Sequence, residues 1–263
     1  MKTFRPNKEA YILVSEEGKK TRVRVMKNEE FENFNPTILD LGDLRKKSKK
    51  INAICAVFDL QGFTNFCNQM DPELSVPAYI SGFLDWIFGV IRSETVEKQF
   101  PEGVKLWHSA PFYAKILGDG LLILWDTSKM HVQDQHNLIV SMDEICERYL
   151  NEFLPTMKRK VNEPPSALRC GLTKGTVYSV GDGNDFVGAC INFAGRLQKL
   201  PGVIFTFALR GFDPEANLDK LVIPDYVLKK VPIRGMGNEE LIYIRKKDFN
   251  KMSKDDKASY HNP

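Results

Sequence analysis

Hydrophobic positions follow two alternating periods along this chain, and each change of period marks a candidate element. Residues 51–60 are almost continuously apolar, rich in β-branched and aromatic side chains, and bounded by a lysine cluster and by Gly62, which predicts a buried strand with Asp59 at its end. Leu74, Ala78, Ile80, Leu84, Ile87, Phe88 and Ile91 then recur at helical spacing, so residues 73–99 are expected to be mostly helical. Two strand-like runs at 112–117 and 121–125 flank Gly118-Asp119-Gly120, a hairpin with its tip at Asp119. The helical period returns over 132–157, followed by short strand patterns at 168–172 and 175–180, a polar loop at 181–185 and a helix at 186–200. Apolar runs at 203–209, 226–233 and 241–244 end the pattern, with Arg234-Gly235-Met236-Gly237 as the last turn and a frayed, charged stretch expected after Lys246. Upstream, residues 11–14 and 21–26 flank Glu16-Glu17-Gly18-Lys19 and predict a small hairpin. The predicted fold is α+β, an antiparallel-rich sheet with helices on one face.

Composition narrows this reading. With 263 residues, 43% hydrophobic and 27% charged, the chain can bury one substantial core. Residues 1–50 read as an N-terminal extension closing in a basic linker, 51–246 as the main domain and 247–263 as a charged tail. Cys55, Cys67, Cys146, Cys170 and Cys190 form no C-x-x-C pair, and residues 1–6 lack the apolar core of a signal peptide, so a reducing, cytoplasmic setting is expected. The longest nearly apolar stretch, 76–91, contains Asp85 and is expected not to span a membrane. A net charge of +3 gives no argument for nucleic acid, and the run Arg45-Lys46-Lys47-Ser48-Lys49-Lys50 reads as a solvated linker.

Singly, the polar candidates are ambiguous. Asp59 at a strand end, with Gly62-Phe63-Thr64 opening a helix beside it, suits either a helix cap or a metal-bound phosphate. Asp119 suits a turn, and Asn192 and Arg196, four residues apart, project the same way from one helix. His131 and His136 have a poor spacing for joint metal binding and read as surface residues. Phe186 stands where a dinucleotide fingerprint would need its third glycine.

Taken in order, the motifs resemble the class III nucleotide cyclases over roughly residues 51–246. Phe58-Asp59-x-x-Gly62-Phe63-Thr64 is similar to that family's first metal motif, and Lys115-Ile116-Leu117-Gly118-Asp119-Gly120 to its second. Asp185-Phe186-Val187-Gly188-x-x-Ile191-Asn192-x-Ala194-x-Arg196 resembles its substrate and transition-state helix, and Arg234-Gly235-x-Gly237 its phosphate-binding turn. The resemblance implies a ferredoxin-like catalytic domain. It implies two divalent ions, Mn2+ or Mg2+, held by Asp59, Leu60 and Asp119, with Gly62, Phe63, Thr64 and Arg234 on the triphosphate. Asn192 would orient the ribose and Arg196 would stabilise the transition state, in a homodimer whose sites form between subunits. The base-reading pair departs from the adenylate (Lys) and guanylate (Glu) patterns: Tyr113, six residues before Asp119, is the residue at that position, and Asp185, seven before Asn192, is its partner. A hydroxyl and a carboxylate suit uracil, cytosine or adenine by hydrogen bonding alone. The bulk of Tyr113 resembles the Pycsar pyrimidine cyclases of bacterial anti-phage defence, which implies UTP ahead of CTP as substrate. The reading from another class is a catalytically silent cyclase-homology module.

Overall fold

The computed structural model describes residues 10–16, 19–28, 32, 35–212 and 225–263. The chain forms two compact units, residues 1–49 with 179–186, and residues 50–178 with 187–263.

In the first unit, β1 (Ala10–Glu16) and β2 (Lys19–Val25) pair antiparallel, from Ala10 opposite Val25 to Glu16 opposite Lys19, forming the expected hairpin. The Arg22 guanidinium lies 4.5 Å from the centroid of the Tyr11 ring. The basic linker is anchored to the polar loop, because Lys46 Nζ pairs with Asp182 at 2.7 Å and Ser179 Oγ accepts the Lys49 N–H at 2.8 Å. Gly181 is required there, since its φ is +60° and a Cβ would come within 1.9 Å of the Leu41 carbonyl oxygen.

The second unit runs β3 (Lys50–Gln61), α1 (Phe63–Cys67), α2 (Pro72–Thr95), β4 (Val96–Phe100), β5 (Gly103–Leu106), β6 (Tyr113–Leu117), β7 (Gly120–Asp126) and α3 (Val132–Arg148). A π-helical turn, Tyr149–Phe153, carries α3 into α4 (Leu154–Met157). After β8 (Ala167–Val180), whose last two residues belong to the first unit, and the short β9 (Asp185–Val187), of which only Val187 belongs to the second, come α5 (Ala189–Leu197), β10 (Phe205–Ala208), β11 (Tyr226–Ile233), β12 (Gly237–Arg245), α6 (Lys246–Lys251) and α7 (Lys254–Lys257). The sheet order is β11-β12-β10-β8-β3-β7-β6, antiparallel except for the β10–β8 pair. Strands β8-β3-β7-β6 form the ferredoxin-like core, with α2 following its first strand and α3 its third.

Because β3 pairs on both edges and is covered on both faces, its residues 53–58 are apolar at every position rather than alternating. Ile54, Ala56, Phe58 and Leu60 face α2 and α3 with Leu121, Ile123, Trp125, Leu168, Cys170 and Leu172, and this is the main core. Ala53, Cys55, Val57 and Asp59 face the opposite way, the side on which α5 lies. Glycines let that helix approach: a Cβ on Gly171 would lie 2.2 Å from the Ala194 carbonyl oxygen, and one on Gly175 would lie 2.9 Å from Cys190 Cβ. The one-sided helix layer expected from sequence therefore holds for α2 and α3, while α5 covers the other face.

Other boundaries moved for identifiable reasons. Residues 96–99 leave the predicted helix because 96–100 pairs with Gly103–Leu106. The two patterns at 168–172 and 175–180 are one strand, since Thr173 and Lys174 stay in register with Cys55 and Ile54. The predicted helix at 186–200 is shorter, beginning after Gly188, where a Cβ would lie 2.6 Å from the Thr176 carbonyl oxygen. The C-terminal stretch is not frayed. Met252 and Tyr260 are buried, Tyr260 donates its hydroxyl to the Pro201 carbonyl at 2.7 Å, and the His261 backbone pairs with Lys230. Helix α2 has 24 residues, longer than the apolar stretch 76–91 read from sequence, and is by length and composition alone long and apolar enough to cross a membrane. Its Tyr79, Phe83, Ile87 and Ile91 are buried in the core.

Candidate active site

Asp59 lies near the end of β3, opposite Gly120 of β7 on one side and Arg169 of β8 on the other. The hairpin can bring β7 this close because position 120 lacks a side chain, a Cβ there falling 2.3 Å from the Phe58 carbonyl oxygen. Gly118 supplies the turn with φ +65°. Asp119 is thus one residue from the cross-strand partner of Asp59, and the two carboxylates predicted as metal ligands stand at neighbouring strand ends.

Asp59 Oδ2 accepts from Arg169 Nη2 at 2.5 Å, with the two side chains only 15% and 22% exposed. That charge-assisted bond fixes one carboxylate oxygen. Arg169 Nε is buried without a hydrogen-bond partner among the described residues. Sequence reasoning missed Arg169, although a lone cation between the apolar Leu168 and Cys170 of a strand pattern is a usable signal.

The side chain of Leu60 is buried in the main core, so its carbonyl is the only ligand it can offer. Gly62 has φ +88° and opens α1 as expected, with the Phe66 N–H bonded to its carbonyl at 3.0 Å. Phe63 packs its ring on Phe66 and Tyr79, and Thr64 is exposed. Among the described residues no cluster of three or more His, Cys, Asp or Glu side chains could hold a metal ion. Two carboxylates and a carbonyl nevertheless fit a hard cation that keeps water and substrate oxygens in its remaining positions, so the donor set fits Mg2+ or Mn2+ chemistry.

Tyr113 opens the edge strand β6 opposite Leu124, which itself faces Cys55. By strand alternation, Tyr113, Lys115 and Leu117 share the sheet face of Cys55, Val57 and Asp59. Tyr113 is half-buried and Lys115 is exposed. Asp185 begins β9 in the first compact unit, and its Oδ1 accepts the Phe186 N–H at 2.8 Å.

Helix α5 presents Asn192 exposed and Arg196 half-buried one turn further on, while Phe193 and Leu197 join Val231, Ile233 and Ile242 in a second core. The Arg196 guanidinium lies against the β11–β12 turn, its Nη1 3.1 Å from where a Gly235 Cβ would be, and Gly235 has φ +72°. Residues 232–238 of that turn line a shallow cavity of about 480 Å³ that includes Arg234. Neither Arg196 nor Arg234 has a carboxylate partner among the described residues. Arg196 thus lies against the turn that carries Arg234, and the Glu240 carboxylate beside Gly237 of that turn is paired with Arg210 at 2.8 Å. In the sheet, β12 is three positions from β3, a distance of about 14 Å at ordinary strand spacing.

No protein-family model matches the sequence, and no curated protein does. Among solved structures, the guanylyl cyclase Cya2 is similar at 17% identity and TM-score 0.56, covering 76% of this chain and 94% of that one. The guanylate cyclase domain of RhGC from Catenaria anguillulae, solved with GTP, is similar at 16% identity and TM-score 0.51, covering 75% of this chain and all of that one. The catalytic core of a rhodopsin-guanylyl cyclase with converted specificity, solved with ATPalphaS, gives 16% identity and TM-score 0.51 over 76% of this chain and all of that one. The chain therefore has the mixed α+β fold of the class III nucleotide cyclase catalytic domains.

Proposed function

We propose that this chain is a nucleotide cyclase that converts UTP to 3′,5′-cyclic UMP and pyrophosphate. The observation that carries the reading is that Asp59, Tyr113 and the helix bearing Asn192 and Arg196 all lie on one face of the sheet. Asp59, Leu60 and Asp119 would hold the two divalent ions, which when bound supply Lewis-acid activation of the ribose 3′-hydroxyl and neutralise the triphosphate. Arg169 keeps Asp59 oriented by engaging one of its oxygens. As O3′ displaces pyrophosphate from the α-phosphorus, charge grows on the equatorial oxygens, and Arg196 donates its N–H groups to them. Arg234 holds the triphosphate, and Asn192 fixes the ribose. The Tyr113 hydroxyl donates to O4 of uracil, the phenol ring excluding larger bases.

Arg196 is drawn to the Gly235 turn, about three strand spacings from the strand of Asp59, which favours a site completed by a second copy of the chain. A second reading, ATP as substrate, is favoured by Lys115, an exposed cation on the same face between Tyr113 and Asp119. Incubating purified protein with each of the four ribonucleoside triphosphates and manganese, then resolving products by chromatography, tests the proposal. Cyclic UMP is expected. Cyclic AMP would assign the base to Lys115, and no cyclic product from any triphosphate would indicate a silent module.

A further inference from the structure

Cys55 and Cys190 have no part in the chemistry proposed above, yet they meet where α5 sits on β3. Their sulfurs are 3.3 Å apart, closer than van der Waals contact and consistent with an S–H···S hydrogen bond. Cys55 is fully buried and Cys190 is 7% exposed. The close approach of Cys190 is made possible by Gly175, and Thr173 Oγ1 donates to the Cys190 carbonyl at 2.9 Å, holding the residue in place.

We propose that Cys55 and Cys190 are an oxidisable dithiol that closes to an intrachain disulfide, clamping α5 to the strand of Asp59. The oxidant is hydrogen peroxide. The Cys190 thiolate attacks one peroxide oxygen and the O–O bond breaks, leaving Cys190 as a sulfenic acid and releasing hydroxide, which takes up a proton to form water. The Cys55 sulfur then displaces the sulfenic hydroxyl, which departs with the Cys55 proton as a second water. The two thiols lose two electrons and the peroxide gains them. The environment assigns these roles. The hydrogen bond from Cys55 and the backbone N–H groups of Cys190 and Ile191 lower the pKa of the Cys190 thiol, whereas the neighbouring sulfur and burial raise that of Cys55. Cys190 is therefore the attacking and Cys55 the resolving residue. The pair Cys146 and Cys170, also in contact, is fully buried in the main core with its Cys146 pKa raised, and serves as an internal control.

Closing a disulfide needs the sulfurs at about 2.05 Å, and the bond ties the start of α5 covalently to β3. Asn192 is two residues beyond Cys190, so under the proposed cyclase reading oxidation alters the positioning of the ribose-binding residue and lowers activity.

The full chain is treated with a small excess of hydrogen peroxide, quenched with N-ethylmaleimide under denaturing conditions and mapped by mass spectrometry. The expected result is a peptide linking Cys55 to Cys190, lost on dithiothreitol treatment, with Cys146 and Cys170 alkylated. In Cys55→Ser, Cys190 should instead accumulate as a dimedone-reactive sulfenic acid. Alkylation of both Cys55 and Cys190 after peroxide treatment, or oxidation of Cys190 beyond sulfenic acid with no crosslink in the unaltered chain, overturns the proposal. This readout is independent of turnover, so a chain with the crosslink and no cyclase activity would refute the enzymatic reading and leave the dithiol standing.

Discussion

The strand end that carries Asp59 and the turn that carries Arg234 belong to the same sheet but are finished differently. At the first, the charge is balanced within the chain: Asp59 is largely buried, held by Arg169, and placed beside the Asp119 hairpin by a glycine that no other residue could replace. At the second, Arg196 lies against the glycine turn that carries Arg234, and the carboxylate beside that turn, Glu240, is paired with Arg210 rather than with either of them. A cation without a carboxylate partner gains most when an anion binds beside it. Under the proposed function, the first half is organised before substrate arrives and the second is completed by the substrate's triphosphate.

The sharpest way to break this comparison is to remove the acidic half. Asp119→Ala takes away a proposed metal ligand without touching the core, and should lower turnover by more than about a thousandfold while leaving circular dichroism and Tm unchanged. If turnover survives, the carboxylates are turn and cap residues. Arg196→Ala should come next, lowering kcat by roughly a hundred- to a thousandfold with a small change in KM, because its bonds strengthen as charge develops. A rise in KM alone would make Arg196 a ground-state binder. Tyr113→Phe should cost at most about tenfold in pyrimidine turnover while still excluding purines, one hydrogen bond being lost and the shape kept. Unchanged selectivity in both Tyr113→Phe and Tyr113→Ala would return this tyrosine to the sheet as a packing residue. Gly171→Ala sharpens the comparison through stability: its Cβ would meet the backbone of α5, so about 2 kcal/mol and roughly 4–8 °C in Tm should be lost.

The organised half was also the more legible one. The apolar run before Asp59 and the Gly118-Asp119-Gly120 turn are local signals, and β3, β6 and β7 fall close to where periodicity puts them. What could not be read locally depends on register. Only the pairing of β3 with β8 shows that Asp59 faces Arg169, and only the β6–β7 ladder shows Lys115 beside Tyr113 on the Asp59 face. The helix at α5 was expected, but its placement on the second face was missed because the evidence for it is negative, glycines at 171 and 175 where a packed strand would otherwise carry side chains. The C-terminal charges hid a buried Met252 and Tyr260, since charged residues dominate composition while two apolar anchors decide whether a short segment packs.

The central claim is that the two halves serve one reaction and meet between two copies of the chain. Asp119→Ala protein keeps an intact Arg196 half and Arg196→Ala protein keeps an intact carboxylate half, so mixing the two inactive proteins measures the claim directly. With free exchange of subunits, half of the dimers are mixed and each has one complete site, so activity should return to about a quarter of that of the unaltered protein. No recovery, with subunit exchange demonstrated by native mass spectrometry, would contradict the claim.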